Sequence, residues 1–322
     1  MRRRQVLLAA GSVLVARSAQ AAGYPMRPIN LIVPYGPGGG VGINARALQP
    51  FLEKQLNQTI IVDFKPGAGG IMGFTLGAHA RPDGYTLTMV TSSITAAPWL
   101  IPHVDYTPED YSYIGQVTFV PNMLIVNADS PYHTLADLIA AMKQKPGELA
   151  TGFESSWPSP DVAQAVFFAR AGVKGKVVPG FGGGAERIAS LLGNHLDFSF
   201  NNLNETLPLY QAKRIRVLAI SGTARVPDMP EVPTFRELGF DVAIGVWRTL
   251  AGPKGLPDPV LQTLSGALKT ALADPTLKTD FAKVGLSTDY LDPVATRELV
   301  MREYASLGKL FTELGINIKT KS

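Results

Sequence analysis

The run Ile29–Val33 is apolar and stops at Pro34, and five glycines follow within seven residues: Gly36, Gly38, Gly39, Gly40 and Gly42. Behind them Ala45, Leu48, Phe51, Leu52 and Leu56 recur at three- and four-residue spacing, the period of an amphipathic helix. A buried strand, a glycine-rich turn and a helix start therefore follow one another directly. That order belongs to α/β folds. It also presents backbone N–H groups at the positive end of a helix, which makes a seat for an anion. A plain turn is the alternative reading of the same residues. No Gly-Lys-Ser/Thr follows, so this is not a Walker A loop. The dinucleotide spacing G-x-G-x-x-G fails too, because Val41 and Ile43 stand at the third-glycine positions counted from Gly36 and Gly38.

The chain's 322 residues suffice for two domains, and 46% hydrophobic with 17% charged residues suits a large core. The formal charge of +4 sits in one place: residues 1–21 hold Arg2, Arg3, Arg4 and Arg17 and no acid, so the remainder is neutral. No nucleic-acid surface and no basic membrane patch follows from it. Residues 1–21 read as an export signal peptide, with arginines first, an apolar stretch over 6–16 and Ala19-Gln20-Ala21 as a cleavage site. Arg3 and Arg4 resemble a twin-arginine signal, and general secretion is the other route. The apolar stretch falls short of the about 20 residues a spanning helix needs. The expected compartment is the periplasm. There is no cysteine, so thiol catalysis and thiolate metal sites are excluded and the exported chain must rely on its core.

From Ile29 onward strands and helices alternate. A second glycine turn, Pro66-Gly67-Ala68-Gly69-Gly70, opens a helix ending near Ala80, and a strand spans 85–91. This alternation predicts a parallel sheet covered on both faces, with ligands beyond the carboxyl ends of its strands. Residues 99–113 read as irregular, and 117–127 as a long apolar run broken at Pro121-Asn122. A second alternation covers 149–220, with Ser159 as a helix cap, and Gly180-Phe181-Gly182-Gly183-Gly184 opens one of its helices. A strand over 242–250 and helices over 257–273, 275–284 and 293–314 complete the chain. The organisation is two α/β lobes: 22–121 with 222–322, and 122–221. The two crossings form a hinge, and the cleft between lobes is where a small ligand binds.

Residues 28–46, Lys65-Pro66-Gly67-Ala68-Gly69-Gly70, Arg81-Pro82-Asp83-Gly84-Tyr85-Thr86-Leu87, Phe181-Gly182-Gly183-Gly184-Ala185, residues 191–197 and 200–203, Val217-Leu218-Ala219-Ile220-Ser221 and Pro230-Glu231-Val232-Pro233-Thr234 occur in a joint order that resembles one family. It is that of the periplasmic substrate-binding proteins of tripartite tricarboxylate transporters, the Bug family. The resemblance covers most of the mature chain. It implies a type II-like, two-lobed Venus-flytrap fold, a ligand carboxylate pinched between a turn–helix unit from each lobe, and ordered waters there. By position these units are residues 35–42, with Tyr35, Gly36, Gly38, Gly39 and Gly40, and Phe181, Gly182, Gly183, Gly184 and Ala185. Backbone amides bind a carboxylate without a cationic side chain, and a Cβ would hold the ligand off.

The departures from the family pattern suggest the ligand. Gly42 stands where an aspartate is usual, so no carboxylate remains there for an ammonium group; Gly182 replaces a common lysine. A loop usually rich in Gly and Ser carries Glu154, Ser155, Ser156 and Trp157, and Arg248 replaces an aromatic after Trp247. Phe153, Trp157 and Phe181 would be apolar walls, and Arg248 would take a second carboxylate in a bidentate pair. With Ser155, Ser156 and Asn202 these complete the candidate ligand-binding set. The expected ligand is an aromatic or aliphatic dicarboxylate; trapped waters aside, no cofactor and no metal are expected. Expected partners are the membrane permease subunits of a tripartite transporter, with the binding protein a monomer.

Two other functions fit less well. A hydrolytic enzyme would need chemistry that His79, His103, His133 and His195 do not provide, since none has metal-ligand spacing and no H-E-x-x-H or G-x-S-x-G occurs. Ser155 and Ser156 have no base adjacent in sequence. A ligand-sensing partner of a membrane signalling protein would use the same fold and differ only in what it docks on.

Overall fold

The computed structural model of the protein describes residues 23–38, 40–154, 157–222, 224–283, 286–313 and 315. The signal-peptide segment, Gly39, Ser155 and Ser156 lie outside these residues.

Strand β1 (Ile29–Val33) buries four of its five positions, as an apolar run inside a covered sheet must. Helix α1 (Gly40–Leu56) starts five residues before its apolar period and packs Ala45, Leu48, Leu52 and Leu56 inward. Strand β2 (Ile60–Phe64) returns parallel to β1, and after helix α2 (Ile71–Ala78) strand β3 (Thr86–Thr91) lies parallel on β1's other side. Helix α3 (Ser93–Leu100) and a 3-10 turn, Pro108–Asp110, lead into strand β4 (Tyr111–Asn127). Residues 99–113, expected irregular, thus include the end of α3, the turn and the first residues of β4.

The second half of the molecule follows. Helix α4 (Leu135–Gln144) is capped reciprocally by Thr134 and Asp137, at 2.8 and 3.2 Å. Strand β5 (Ala150–Phe153), helix α5 (Ser159–Ala171) and strand β6 (Lys176–Pro179) make a two-stranded parallel unit. Ser159, expected as the cap, is inside α5, and its hydroxyl accepts from Asn122 Nδ2 at 2.8 Å. Helix α6 (Gly184–Leu192), strand β7 (Ser199–Asn202), helix α7 (Leu203–Gln211) and strand β8 (Ile215–Ile220) follow. Strand β9 (Gly245–Pro253) re-enters the first half, and helices α8 (Asp258–Ala273), α9 (Pro275–Lys283) and α10 (Pro293–Glu313) close the chain.

The large sheet runs β2-β1-β3-β9-β4-β7, with β8 also on β4. It is mixed, which corrects the expectation of a parallel sheet. Strand β9 is antiparallel to both β3 and β4. The reason is the crossing: β4 carries the chain out of the first half and β9 brings it back, so the two run in opposite senses. Residues 111–121 of β4 pair with β9, and 122–127 pair with β7 and β8. Pro121, with no N–H to give, stands where the partners change.

One core packs α1, α8 and α9 on β1, β3 and β9. Another gathers Phe167, Phe200, Phe235, Leu307 and Phe311, so α10 and the segment before β9 also pack against the second half. Some contacts leave no room for a side chain. A Cβ on Gly77 of α2 would lie 2.1 Å from Thr88 Oγ1 on β3. Gly77→Ala gains about 1 kcal/mol of helix propensity. The clash, in a fully buried contact, should cost about 1–3 kcal/mol beyond that gain and lower the urea midpoint. A midpoint equal to or above that of the parent chain would show that α2 rides on β3 more loosely than this.

Candidate functional site

The glycine turn after β1 is shaped from two sides. A Cβ on Gly42 would lie 2.7 Å from the Pro37 carbonyl oxygen, so this position is glycine because the turn folds over it. A Cβ on Gly40 would lie 2.8 Å from Arg248 Nη2. Around Gly36 and Gly38 there is open space. The turn therefore packs on its helix at Gly42, meets a guanidinium at Gly40 and leaves its tip free.

Arg248 is 7% exposed and lies on β9, opposite Thr91 of β3 and Thr118 of β4. Directly opposed residues share a sheet face. Its Nε and Nη1 are buried without a hydrogen-bond partner among the described residues. Burial pulls its pKa down to about 10, and it stays charged at neutral pH. The N-terminal turn of α1 beside it contains no acid. A buried cation and the positive end of a helix thus meet with no anion of the described chain between them. Asn44, one turn into α1, is fully buried with both amide atoms unpartnered among the described residues, and Thr118 Oγ1 is likewise unpartnered.

Tyr35 completes this wall. Its hydroxyl lies 2.8 Å from Ser93 Oγ and 3.2 Å from Thr91 Oγ1, and those two oxygens are 2.8 Å apart. Burial raises the phenol's pKa, against hydrogen bonds to Ser93 and Thr91 and the field of Arg248. The second glycine turn supports the ring: a Cβ on Gly70, at φ +98°, would lie 2.9 Å from Tyr35 Oη.

From Ser93 a cleft of about 240 Å³ opens between the Ala68–Gly70 turn, α3 and Trp157. Ile71, Ala96, Ala97 and Leu100 line it along with the indole. Trp157 sits at φ +53°, a costly backbone conformation for an aromatic residue. Phe153 and Phe311 hold its ring edge-on, at centroid distances of 5.0 and 5.5 Å. Phe153 therefore backs the indole, whereas Phe181 packs by Gly152 and the core beneath α6.

The second-half turn is different in character. Gly182 N–H donates to Glu186 Oε2 at 2.8 Å, and the Glu205 carboxylate lies against Gly184, where a Cβ would be 2.1 Å from Oε2. Asn202 caps α7 and its N–H donates to Glu205 at 3.3 Å. Arg187, 1% exposed, is bound to Glu154 at 3.0 Å and to Asp161 at 2.5 Å. Gly183 thus caps α6 and Gly184 and Ala185 open it, while the chain's own carboxylates, Glu186 and Glu205, lie at Gly182 and Gly184.

Sequence reasoning missed Glu303. It belongs to α10, lies 2.7 Å from Thr95 Oγ1 and accepts from Trp247 Nε1 at 3.0 Å, one residue before Arg248. A narrow pocket of about 10 Å³ beside it touches Trp157 and Ser159, so it sits where the halves meet. The available signal was its place in the series Thr296, Val300, Leu307, Phe311, the buried stripe of α10.

Two α/β halves with a cleft between them, one wall cationic and amide-rich, define a two-lobed solute-binding protein. The chain matches the tripartite tricarboxylate transporter family receptor, TctC, over residues 44–316, and it belongs to that family. It is 30% identical to Protein BugT of Bordetella pertussis over 309 residues, 95% of this chain and 94% of that one. A TctC solute-binding protein from Polaromonas, solved without ligand, superposes with a TM-score of 0.84 at 30% identity, covering 90% of this chain and all of that one. An R. palustris protein solved with adipate superposes with a TM-score of 0.73 at 26% identity, covering 92% and 99%. The family's receptors are periplasmic, bind small carboxylates for transport and work with transporter membrane subunits. Among the described residues no helix is long and apolar enough to cross a membrane.

Proposed function

We propose that this protein captures a small organic acid between its lobes, seats the carboxylate on Arg248 beside the Gly36–Gly40 turn, and delivers it unchanged to the membrane permease subunits of a tripartite transporter. The observation that carries this reading is the isolated guanidinium: 7% exposed, with two nitrogens lacking acceptors among the described residues, against a helix start with no acid. A buried cation left unpaired is costly, and an incoming carboxylate relieves that cost with charge-assisted hydrogen bonds. Tyr35, Thr91 and Ser93 supply hydroxyls at the same wall, and the turn amides supply further donors. The same reading takes residues 1–21 as the leader that exports the chain to the periplasm, by the twin-arginine or the general route, and takes the working protein as a monomer.

Arg248 accounts for one carboxylate. Arg248, expected from the sequence to take a second carboxylate, is in this reading the first seat; a dicarboxylate then needs another, and the turn at 181–185, expected to help pinch the first carboxylate, has Glu186 and Glu205 against it. The adipate in the R. palustris neighbour supports a linear acid of modest length.

Calorimetric titration with hexanoate and hexanamide tests the reading. Hexanoate should bind at least about 100-fold more tightly, a difference of about 2.7 kcal/mol. Binding of hexanamide as tight as that of hexanoate would refute carboxylate capture.

A further inference from the structure

We propose that the acid this site accepts carries a single carboxylate and an uncharged apolar body, gripped between α3 and Trp157. The proposal rests on Arg248 as the carboxylate seat and adds the chemistry of the rest of the ligand. The cleft that leads away from the seat is lined by Ile71, Ala96, Ala97, Leu100 and the Trp157 indole, with Ser93 as its polar end. Ser93 is also the residue whose hydroxyl reaches Tyr35, which lies in the field of Arg248. Polar head and apolar channel therefore meet at one side chain.

Trp157 is fixed for this role. Its backbone is in the left-handed region and its ring is wedged between Phe153 of β5 and Phe311 of α10. A strained backbone held by packing on both edges keeps a large flat surface on the cleft.

The second-half glycine turn argues against a second negative group seated there. Glu186 already accepts from the Gly182 amide, and Glu205 lies on Gly184. Glu154 stands near both, and its pKa is raised by burial first and by the charges of Glu205 and Glu186 as well. The cation in this cluster, Arg187, is engaged by Glu154 and Asp161. A distal carboxylate reaching this turn would meet like charge, whereas a methyl or a ring edge meets none.

Three acids that share a carboxylate and chain length separate the possibilities: hexanoate, adipate and 6-aminohexanoate, ending in a methyl, a carboxylate and an ammonium. Calorimetry should rank hexanoate first, with adipate weaker by about tenfold or more. Trp157→Ala should cost hexanoate about tenfold. Adipate binding as tightly as hexanoate overturns the proposal, and so does unchanged hexanoate affinity in Trp157→Ala. If 6-aminohexanoate binds most tightly, the acidic turn is an ammonium site and the apolar assignment falls. Each of these results leaves the hexanoate-over-hexanamide preference standing, because that comparison reads the carboxylate seat and not the other end of the ligand.

Discussion

Arg248→Met is expected to weaken binding of a carboxylate ligand by about 100-fold or more and, in the same protein, to raise the melting temperature of the ligand-free form. The two effects have one source. Truncating the charged partner of a buried ion contact costs about 2–5 kcal/mol of binding. Without ligand the same guanidinium is 7% exposed with Nε and Nη1 unpaired among the described residues, so its charge is a burden on the fold. Replacing buried ionic groups by apolar ones of similar volume often stabilises, by about 1–4 kcal/mol. For a chain of this size each kcal/mol corresponds to about 2–4 °C. Arg248→Lys should fall between, since an ammonium keeps the charge but loses the planar fork. Calorimetry and thermal melts on the three proteins check both arms. A melting temperature that falls in Arg248→Met, or a carboxylate affinity that does not change, would remove Arg248 from the site.

The second large effect concerns Glu303 and pH. Thr95 has one hydroxyl proton and two acceptors at 2.7 Å, the Ser92 carbonyl and Glu303. Both contacts are satisfied when Glu303 itself carries a proton and donates it to Thr95, while its other oxygen accepts from Trp247. Burial raises the pKa of Glu303 from 4.5 to about 7, which agrees with this bonding. The folded chain then holds a proton that the unfolded chain releases. Stability from this group is full below about pH 4.5 and is lost as pH rises toward about 7. Glu303→Gln keeps the neutral bonding pattern at every pH. It should match the parent chain near pH 4 and exceed it at pH 8 by up to roughly 3 kcal/mol. Urea midpoints of both proteins across that range decide it; parallel curves would mean that Glu303 titrates as an ordinary glutamate.

The part of the fold that could be read from the chain was the part with local causes. Ile29–Val33 and α1 are visible because their apolar residues repeat at the periods of strand and helix within a few positions. The direction of β9 was not visible. Its neighbours β3 and β4 lie more than a hundred residues earlier, and nothing within 245–253 records which way they run. The site divides in the same manner. Arg248 stood out as a charged residue at an aromatic's position, but its isolation depends on Thr91, Thr118 and Gly40 arriving from three other elements. Glu186 could have been weighed, since an acid in the first turn of a helix competes for that helix's own amides. Glu205 could not, because α7 brings it to Gly184 only in three dimensions. Gly42 was legible only as the loss of a usual aspartate, whereas the fold shows that the turn itself requires a glycine there.

Strand β4 has a further consequence. At 17 residues it is about 55 Å long, and it is hydrogen-bonded into the first half over one stretch and into the second over the next. Helix α10 likewise has Val300 in one core and Leu307 and Phe311 in another. The two halves therefore share a spine and a strut. Any jaw-like travel would have to be absorbed by torsion around Pro121 and by the returning segment ahead of Gly245, against the pull of both.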